Sequence, residues 1–254
     1  MKQVGIFTAT RWECAAIRRV LDDVRRNDHD GTRCWLGRRG RQEIVLVQTG
    51  VGLDKAAAAC RAVLQKYEIG LVVSAGLAGA LTPARIGELL IGTDVRIEAD
   101  DRAACERMRH TCSSEAVTSV QQMAARMAMP THIGSFVTSL RILWHAAEKQ
   151  AVAERTGAIA VDMESAMLGA GAAGLGIPFA IARHVSDLRD ESLPVDLNLF
   201  TRPADRLTGV VACVANPSCL AGLWRLRRQM HAATEAMSLF YSRWLDELSE
   251  SGKG

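Results

Sequence analysis

Asp162, Met163 and Glu164 stand between a short apolar run at 158–161 (AIAV) and a small-residue, helix-compatible stretch at 165–173. Gly174 and Gly176 stop that stretch, Pro178 opens a second apolar run at 179–185, and the run ends on Ser186-Asp187. A strand, a helix and a strand in this order predict a parallel unit with a right-handed crossover. Glu164 and Asp187 would then share one sheet edge, where open α/β folds place their ligands. Each acid also has a plainer use, since Asp162 or Asp187 can simply cap a helix and Met163 can simply fill core. A third acid, Glu13, closes the loop after an apolar run at 4–7 and opens an amphipathic helix with Ala16, Ile17, Val20 and Leu21 on one face. There it can also serve the helix dipole. Two glycine turns follow strands, Thr49-Gly50-Val51-Gly52 and the 75–80 segment containing Gly76, Ala78 and Gly79. At such places backbone can approach a sugar or an anion closely.

The elements that must position these residues fit one large α/β domain of 254 residues, spanning 1–254. With 48% hydrophobic and 23% charged residues the chain can bury a substantial core. A net charge of +3 is too mild for nucleic acid. Seven scattered cysteines without a CxxC pair or a Cys/His cluster predict reduced thiols in the cytosol, no metal and no cofactor. No signal peptide is expected, because the apolar run at 4–7 is too short. The uncharged stretch 165–182 resembles a membrane span only until its glycines and Pro178 are counted; it reads as a buried helix running into a buried strand. Strands are expected at 44–48, 71–74, 94–97 and 131–139, and a helix at 53–67. The sequence predicts turns at 32–41 and 86–92, a charged helical stretch at 98–126, and a loop at 191–205. Asn216 and Pro217 would start an amphipathic helix over 217–248, with apolar residues from Leu223 to Leu248 at steps of three and four.

In order and spacing, these segments resemble the nucleoside phosphorylase and nucleosidase superfamily, which includes purine nucleoside phosphorylases and methylthioadenosine/S-adenosylhomocysteine nucleosidases. The resemblance rests on the two glycine loops, Asp162-Met163-Glu164, Arg183 and Ser186-Asp187. It implies a mixed, mostly parallel sheet flanked by helices in three layers, and a homo-oligomer. It also implies roles: Asp187 as general acid toward adenine N7, Glu164 on the ribose hydroxyls, Met163 against the sugar, and Glu13 activating water. Gly76, Ala78 and Ser186 would complete the substrate contacts. Two departures stand out. Arg11 and Trp12 replace an acid-rich loop, and Ser139-Leu140-Arg141-Ile142 replaces a Ser-Gly-Asp-x-Phe segment, leaving Ile142 to stack on the base.

The C-terminal third resembles a narrower branch, the hopanoid-associated phosphorylases. Val161 to Ser165, Val185 to Asp187 with Ser192-Leu193-Pro194, Arg202-Pro203, Asn216-Pro217-Ser218 and the arginine-rich helix after it carry that resemblance. It implies an adenosine with a lipid 5′ substituent, held by an apolar channel that Trp224 and Phe240 would line. Weak association with the inner membrane surface through Arg225, Arg227 and Arg228 follows. Methylthioadenosine is the competing substrate. Inorganic phosphate remains an alternative nucleophile, with Arg85, Arg96 and the glycine turns as its donors. A nucleoside-binding regulator without turnover is the non-enzymatic alternative.

Overall fold

Two-sided apolar strands explain the layering. β1 (Gln3–Thr8) sends Val4 and Ile6 to one face and Phe7 to the other. β4 (Gln42–Gln48) likewise divides Ile44 and Leu46 from Val45 and Val47. Strands buried on both sides need helices on both sides. In the computed structural model, which describes residues 2–98, 108–196, 198 and 217–251, α1 (Arg11–Arg18), α3 (Ser114–Arg126) and α6 (Pro217–Ser251) cover one face. The other is covered by α2 (Leu53–Lys66) and α5 (Ser165–Gly174). A fourth helix by sequence order, α4 (Ala146–Thr156), sits over a small satellite cluster of Leu81, Val137, Leu143 and Val152.

The remaining strands are β2 (Asp22–Arg26), β3 (Arg33–Arg39), β5 (Ile69–Ala80), β6 (Leu89–Ile97), β7 (His110–Thr111), β8 (Thr131–Thr138), β9 (Ala160–Asp162) and β10 (Phe179–Asp187). The sheet is mixed. Parallel ladders join β4–β1–β5–β10 and β6–β8–β9, while β2–β3–β4, β5–β9, β6–β7 and β6–β10 are antiparallel. Because β10 pairs with both β5 and β6, strands β5, β10, β6, β8 and β9 close into a ring. The strands β1, β4, β3 and β2 extend from it as an open wing.

Several expectations change here. The strand–helix–strand unit around Glu164 is not parallel: β9 runs against β5 while β10 runs with it. Its two acids meet by another route, because Gly79 of β5 pairs with Val161 on one side and Asp187 on the other. The glycine segment 75–80 is not a turn but the second half of the twelve-residue β5. Most of 32–41 is strand β3, with only Gly40 at the hairpin tip in a left-handed conformation. β6 already begins at Leu89. Between 98 and 126 the described helix is only Ser114–Arg126, preceded by β7. Arg202, Pro203, Asn216 and the 199–205 part of the expected loop lie outside the described residues.

The C-terminal helix follows its predicted stripe and packs Ala233, Met237, Phe240, Tyr241 and Trp244 into the core. Phe240 is fully buried and stacked on Trp244, so it is not available to line a lipid channel. Tyr241 donates its hydroxyl to the Ala182 carbonyl of β10 at 2.8 Å. Next to it, His184 of β10 is completely buried against Phe240, and neither ring nitrogen has a hydrogen-bond partner among the described residues. Burial pushes this imidazole down to about 3, well below its ordinary 6.5. Between those values the unfolded chain binds a proton that the native state refuses, so this group removes stability as pH falls. Glu164, raised by burial, acts in the opposite sense between 4.5 and about 7, but it is present in parent and variant alike. His184→Leu is therefore expected to gain on the parent by about 1.4 kcal/mol for each pH unit below 6.5. Urea midpoints of both proteins at pH 7 and pH 5 check this; a gap independent of pH would refute it.

Candidate active site

Thr10-Arg11-Trp12-Glu13 forms a capping box at the start of α1: the Glu13 N–H donates to Thr10 Oγ1 at 3.3 Å, and the Thr10 N–H donates to Glu13 Oε2 at 2.6 Å. Glu13 Oε1 takes a second backbone donor, the Leu77 N–H of β5, at 2.7 Å. Both oxygens of this buried carboxylate are thus fixed by main chain. The room for it comes from Gly76, whose φ of +136° favours glycine and where a Cβ would fall 2.4 Å from Glu13 Oε1. Gly79 does the same for the other acid, since a Cβ there would lie 3.1 Å from Asp187 Oδ2. Gly76 and Gly79 of β5 are therefore notches for two carboxylates.

Glu164 follows β9 and accepts from the Gly52 N–H at 3.0 Å, which gives the first glycine loop its use. Its other oxygen faces Arg183 Nη2 at 3.3 Å. Burial pushes the Glu164 carboxyl up to about 7, against the opposing pull of Arg183 and with Asp162 adding to the rise. Asp162 has no free face: it accepts from Thr138 Oγ1 at 2.7 Å and from the N–H groups of Glu164 and Ser165 at 3.3 and 3.2 Å. It also takes the Ser165 hydroxyl and lies 3.2 Å from Arg183 Nε. This is the capping use that the sequence left open. Arg183 itself is buried, spans both acids, and donates to Ser74 Oγ and to the Leu77 carbonyl at 2.9 Å.

Glu13, Ala78, Ile142, Met163, Glu164, Ser186 and Asp187 line one cavity of about 180 Å³; Gly76 lies behind Glu13 rather than on its wall. Ile142 is held by Asn198, whose side chain meets its N–H at 2.8 Å and its carbonyl at 2.9 Å. The Ser186 hydroxyl sits 2.7 Å from Asp187 Oδ1 and 3.1 Å from the Ala78 carbonyl. Arg141 and Arg183 are the cations on the cavity wall. Both are engaged, Arg141 with Glu148 at 2.7 Å. Arg85 and Arg96 are not among the lining residues, and Arg96 reaches the Thr156 carbonyl instead. Among the described residues no group of His, Cys, Asp and Glu side chains is arranged to hold a metal.

Sequence reasoning missed Lys149 altogether. This residue of α4 is fully buried, and its ammonium meets Asp187 Oδ2 and the carbonyls of Leu188 and Glu191 at 2.9 and 3.0 Å. Its rarity, one of five lysines among 31 basic residues, is no signal of this, since Lys2, Lys55 and Lys66 are exposed.

The mixed α/β sheet, closed at one end and flanked by helices, is the nucleoside phosphorylase-like fold. Residues 3–212 match the Phosphorylase superfamily, and the chain belongs to that family. It is 22% identical over 212 residues to a 5′-methylthioadenosine/S-adenosylhomocysteine nucleosidase of Staphylococcus aureus, covering 79% of this chain and 93% of that protein. To the Staphylococcus haemolyticus enzyme of the same name it is 24% identical over 208 residues, covering 78% and 91%. Among solved structures, the nucleosidase of Neisseria meningitidis in complex with methylthio-immucillin-A superposes with a TM-score of 0.77 at 17% identity, over 97% of this chain and all of that one. Futalosine hydrolase of Helicobacter pylori gives 0.76 at 15%, over 97% and 98%.

Proposed function

We propose that the protein is an N-glycosyl hydrolase that releases adenine from a 5′-modified adenosine. The observation that carries this reading is the convergence of Glu13, Glu164 and Asp187 on one cavity. In the proposed reaction the C1′–N9 bond breaks with its electron pair going to the base, and Asp187 delivers a proton to N7. A water oxygen bonds to C1′ and gives its proton to Glu13. Glu164 accepts the ribose hydroxyls, Met163 packs on the sugar, and Ile142 lies against the base. Ser186 orients Asp187, and the main chain around Gly76 and Ala78 borders the sugar. Water suits this site better than phosphate: a fixed carboxylate at the nucleophile position repels an anion, and the wall arginines already have partners. A product of free sugar at a rate independent of added phosphate is the expected result; a phosphate-dependent sugar 1-phosphate would reverse the choice of nucleophile.

The 5′ substituent in this reading is a bulky apolar group, as in adenosylhopane. A groove of about 480 Å³ supports it, walled by Trp12, Leu223, Leu226 and Met230 with Arg227 and His231 on its rim. Groove and cavity meet at the start of α1, where the capping Thr10 and Glu13 line the cavity while Trp12 lines the groove. Burying a polycyclic tail at about 25 cal/mol per Å² would dominate affinity. Assembly of like chains and weak attachment to bilayers belong to the same reading. Of the three arginines invoked for bilayers, Arg225 already meets Glu191 at 2.8 Å and Arg228 lies 4.8 Å over the Trp224 ring. No helix among the described residues is long and apolar enough to cross a membrane.

The second reading takes methylthioadenosine or S-adenosylhomocysteine as substrate, and it is favoured by what the similar staphylococcal proteins are named for. Adenine release from adenosylhopane in detergent, set beside release from methylthioadenosine, separates the two. A preference for the lipid substrate is expected. If the small thioether is turned over about a hundredfold better, roughly 2.7 kcal/mol in transition-state terms, the lipid substituent is wrong and the general nucleosidase reading stands.

A further inference from the structure

Lys149 lies outside every role assigned so far, yet it is the most completely buried cation beside the candidate acid. Its side chain has no exposure, against 15% for Asp187. An ammonium carries three N–H donors, and here each has an acceptor: Asp187 Oδ2, the Leu188 carbonyl and the Glu191 carbonyl. The cation therefore cannot swing away without losing all three. It grips one oxygen of Asp187 and, through the two carbonyls, the turn that follows β10.

The other oxygen, Oδ1, meets only the Ser186 hydroxyl among the described residues. That hydroxyl holds a single proton and has two neighbours, Asp187 Oδ1 and the Ala78 carbonyl. It can donate to Oδ1 when the carboxylate is ionised. When Oδ1 carries a proton, the hydroxyl can turn to the Ala78 carbonyl and stop competing for that oxygen. Oδ2 has no such freedom, since Lys149 supplies donors only.

We propose that Lys149 is the positioning residue of the candidate acid, pinning Asp187 Oδ2 so that Oδ1 is the oxygen that exchanges its proton with the leaving base. This rests on the reading of Asp187 as the general acid. The neighbouring charges do not duplicate the role: Glu148 is occupied by Arg141, and Glu191 presents its carbonyl to Lys149 while its carboxylate holds Arg225 and Gln229.

The test uses two substrates, an adenine nucleoside and 4-nitrophenyl riboside, whose C1′–O bond breaks to release 4-nitrophenolate without protonation. Lys149→Met is expected to lower kcat for the nucleoside by roughly 10- to 100-fold with KM within about threefold, since a misplaced catalytic group costs up to about 10². Cleavage of the nitrophenyl riboside should stay within about threefold of the parent, and Lys149→Arg should recover most of the nucleoside rate. Lys149→Gln, whose amide still donates to the carbonyls, serves if the methionine variant does not fold. Equal losses on both substrates, or no advantage of arginine over methionine, would overturn the proposal. So would failure of both neutral variants to fold, because Lys149 would then be holding the chain together rather than aiming Asp187. Asp187→Asn is run alongside. If it cleaves the nucleoside normally, the reading of Asp187 fails; if it loses only the nucleoside reaction while the Lys149 variants match the parent, only the present inference fails.

Discussion

Asp187→Asn is expected to lower adenine release by about 10²–10⁴-fold, the usual range for removing a general acid, while nucleoside affinity stays within about tenfold. The substitution keeps the shape of the side chain and a contact to the Ser186 hydroxyl, which sits 2.7 Å from Oδ1 in the parent. It removes the proton that the departing base needs. The cavity walls at Glu13, Met163 and Glu164 do not depend on Asp187, because Glu13 and Glu164 are held by backbone N–H groups of Leu77, Thr10 and Gly52. Free adenine measured over time gives the turnover, and calorimetric titration with a non-cleavable adenosine analogue gives the affinity. Normal turnover would remove Asp187 from the reaction; lost binding together with lost turnover would make it a binding group instead.

Arg183→Met is expected to cost about 3–5 kcal/mol of stability, the range for stripping one partner from a buried ion pair. The guanidinium is enclosed, with Asp162 Oδ2 at 3.2 Å and Glu164 Oε2 at 3.3 Å. A methionine fills much of the volume and supplies none of the charge. Glu164, already raised by burial to about 7, loses the group that opposes the rise and goes further up. Its protonation then relieves part of the cost, so the deficit should be larger at pH 8 than at pH 5. Urea titrations of parent and variant at both values measure it. A loss below about 1 kcal/mol would mean that the two acids are neutral or solvated in the native state, against the enclosure described above.

The apolar strands at 4–7, 44–48, 71–74 and 131–139, the helix over 53–67 and the C-terminal stripe were legible because their apolar periods are local, whereas the charged β2 and β3 carry no such signal. So were the three carboxylates, whose places after strands can be read without knowing which strands are neighbours. Pairing was not legible. Nothing in three residues, Ala160–Asp162, says that they lie parallel to β8 and antiparallel to β5, so the parallel crossover inferred around Glu164 had no means of correction. The segment 75–80 looked like a turn because glycine is read as flexibility. In the fold its glycines stay in a strand and admit side chains from elsewhere in the chain. Phe240 illustrates the converse: periodicity put it on the apolar stripe, but only the fold shows that this part of the stripe faces Trp244 and His184 rather than a ligand. Lys149 was hidden for the same reason as the pairing. Its partner is 38 positions away and its own helix has a weak apolar pattern.

Ring closure by β10 also decides which strand edges are left open to pair with another sheet. A strand paired on both sides offers no row of unsatisfied amides, and β5, β6, β8, β9 and β10 are all in that position along much of their length. The exposed end of the wing is β2, which reads Asp22-Asp23-Val24-Arg25-Arg26 and pairs on one side only, with β3. Four of its five residues are charged, and its register slips between Asp22 and Arg25. A short, charged, irregular border of this kind is a poor template for another strand. The closed end of the sheet, which carries the candidate site, needs no such guard, and the end that does lies away from it in strand order. Replacing the β2 charges with threonine or valine would leave the cavity untouched and turn the wing into a site for sheet-to-sheet aggregation.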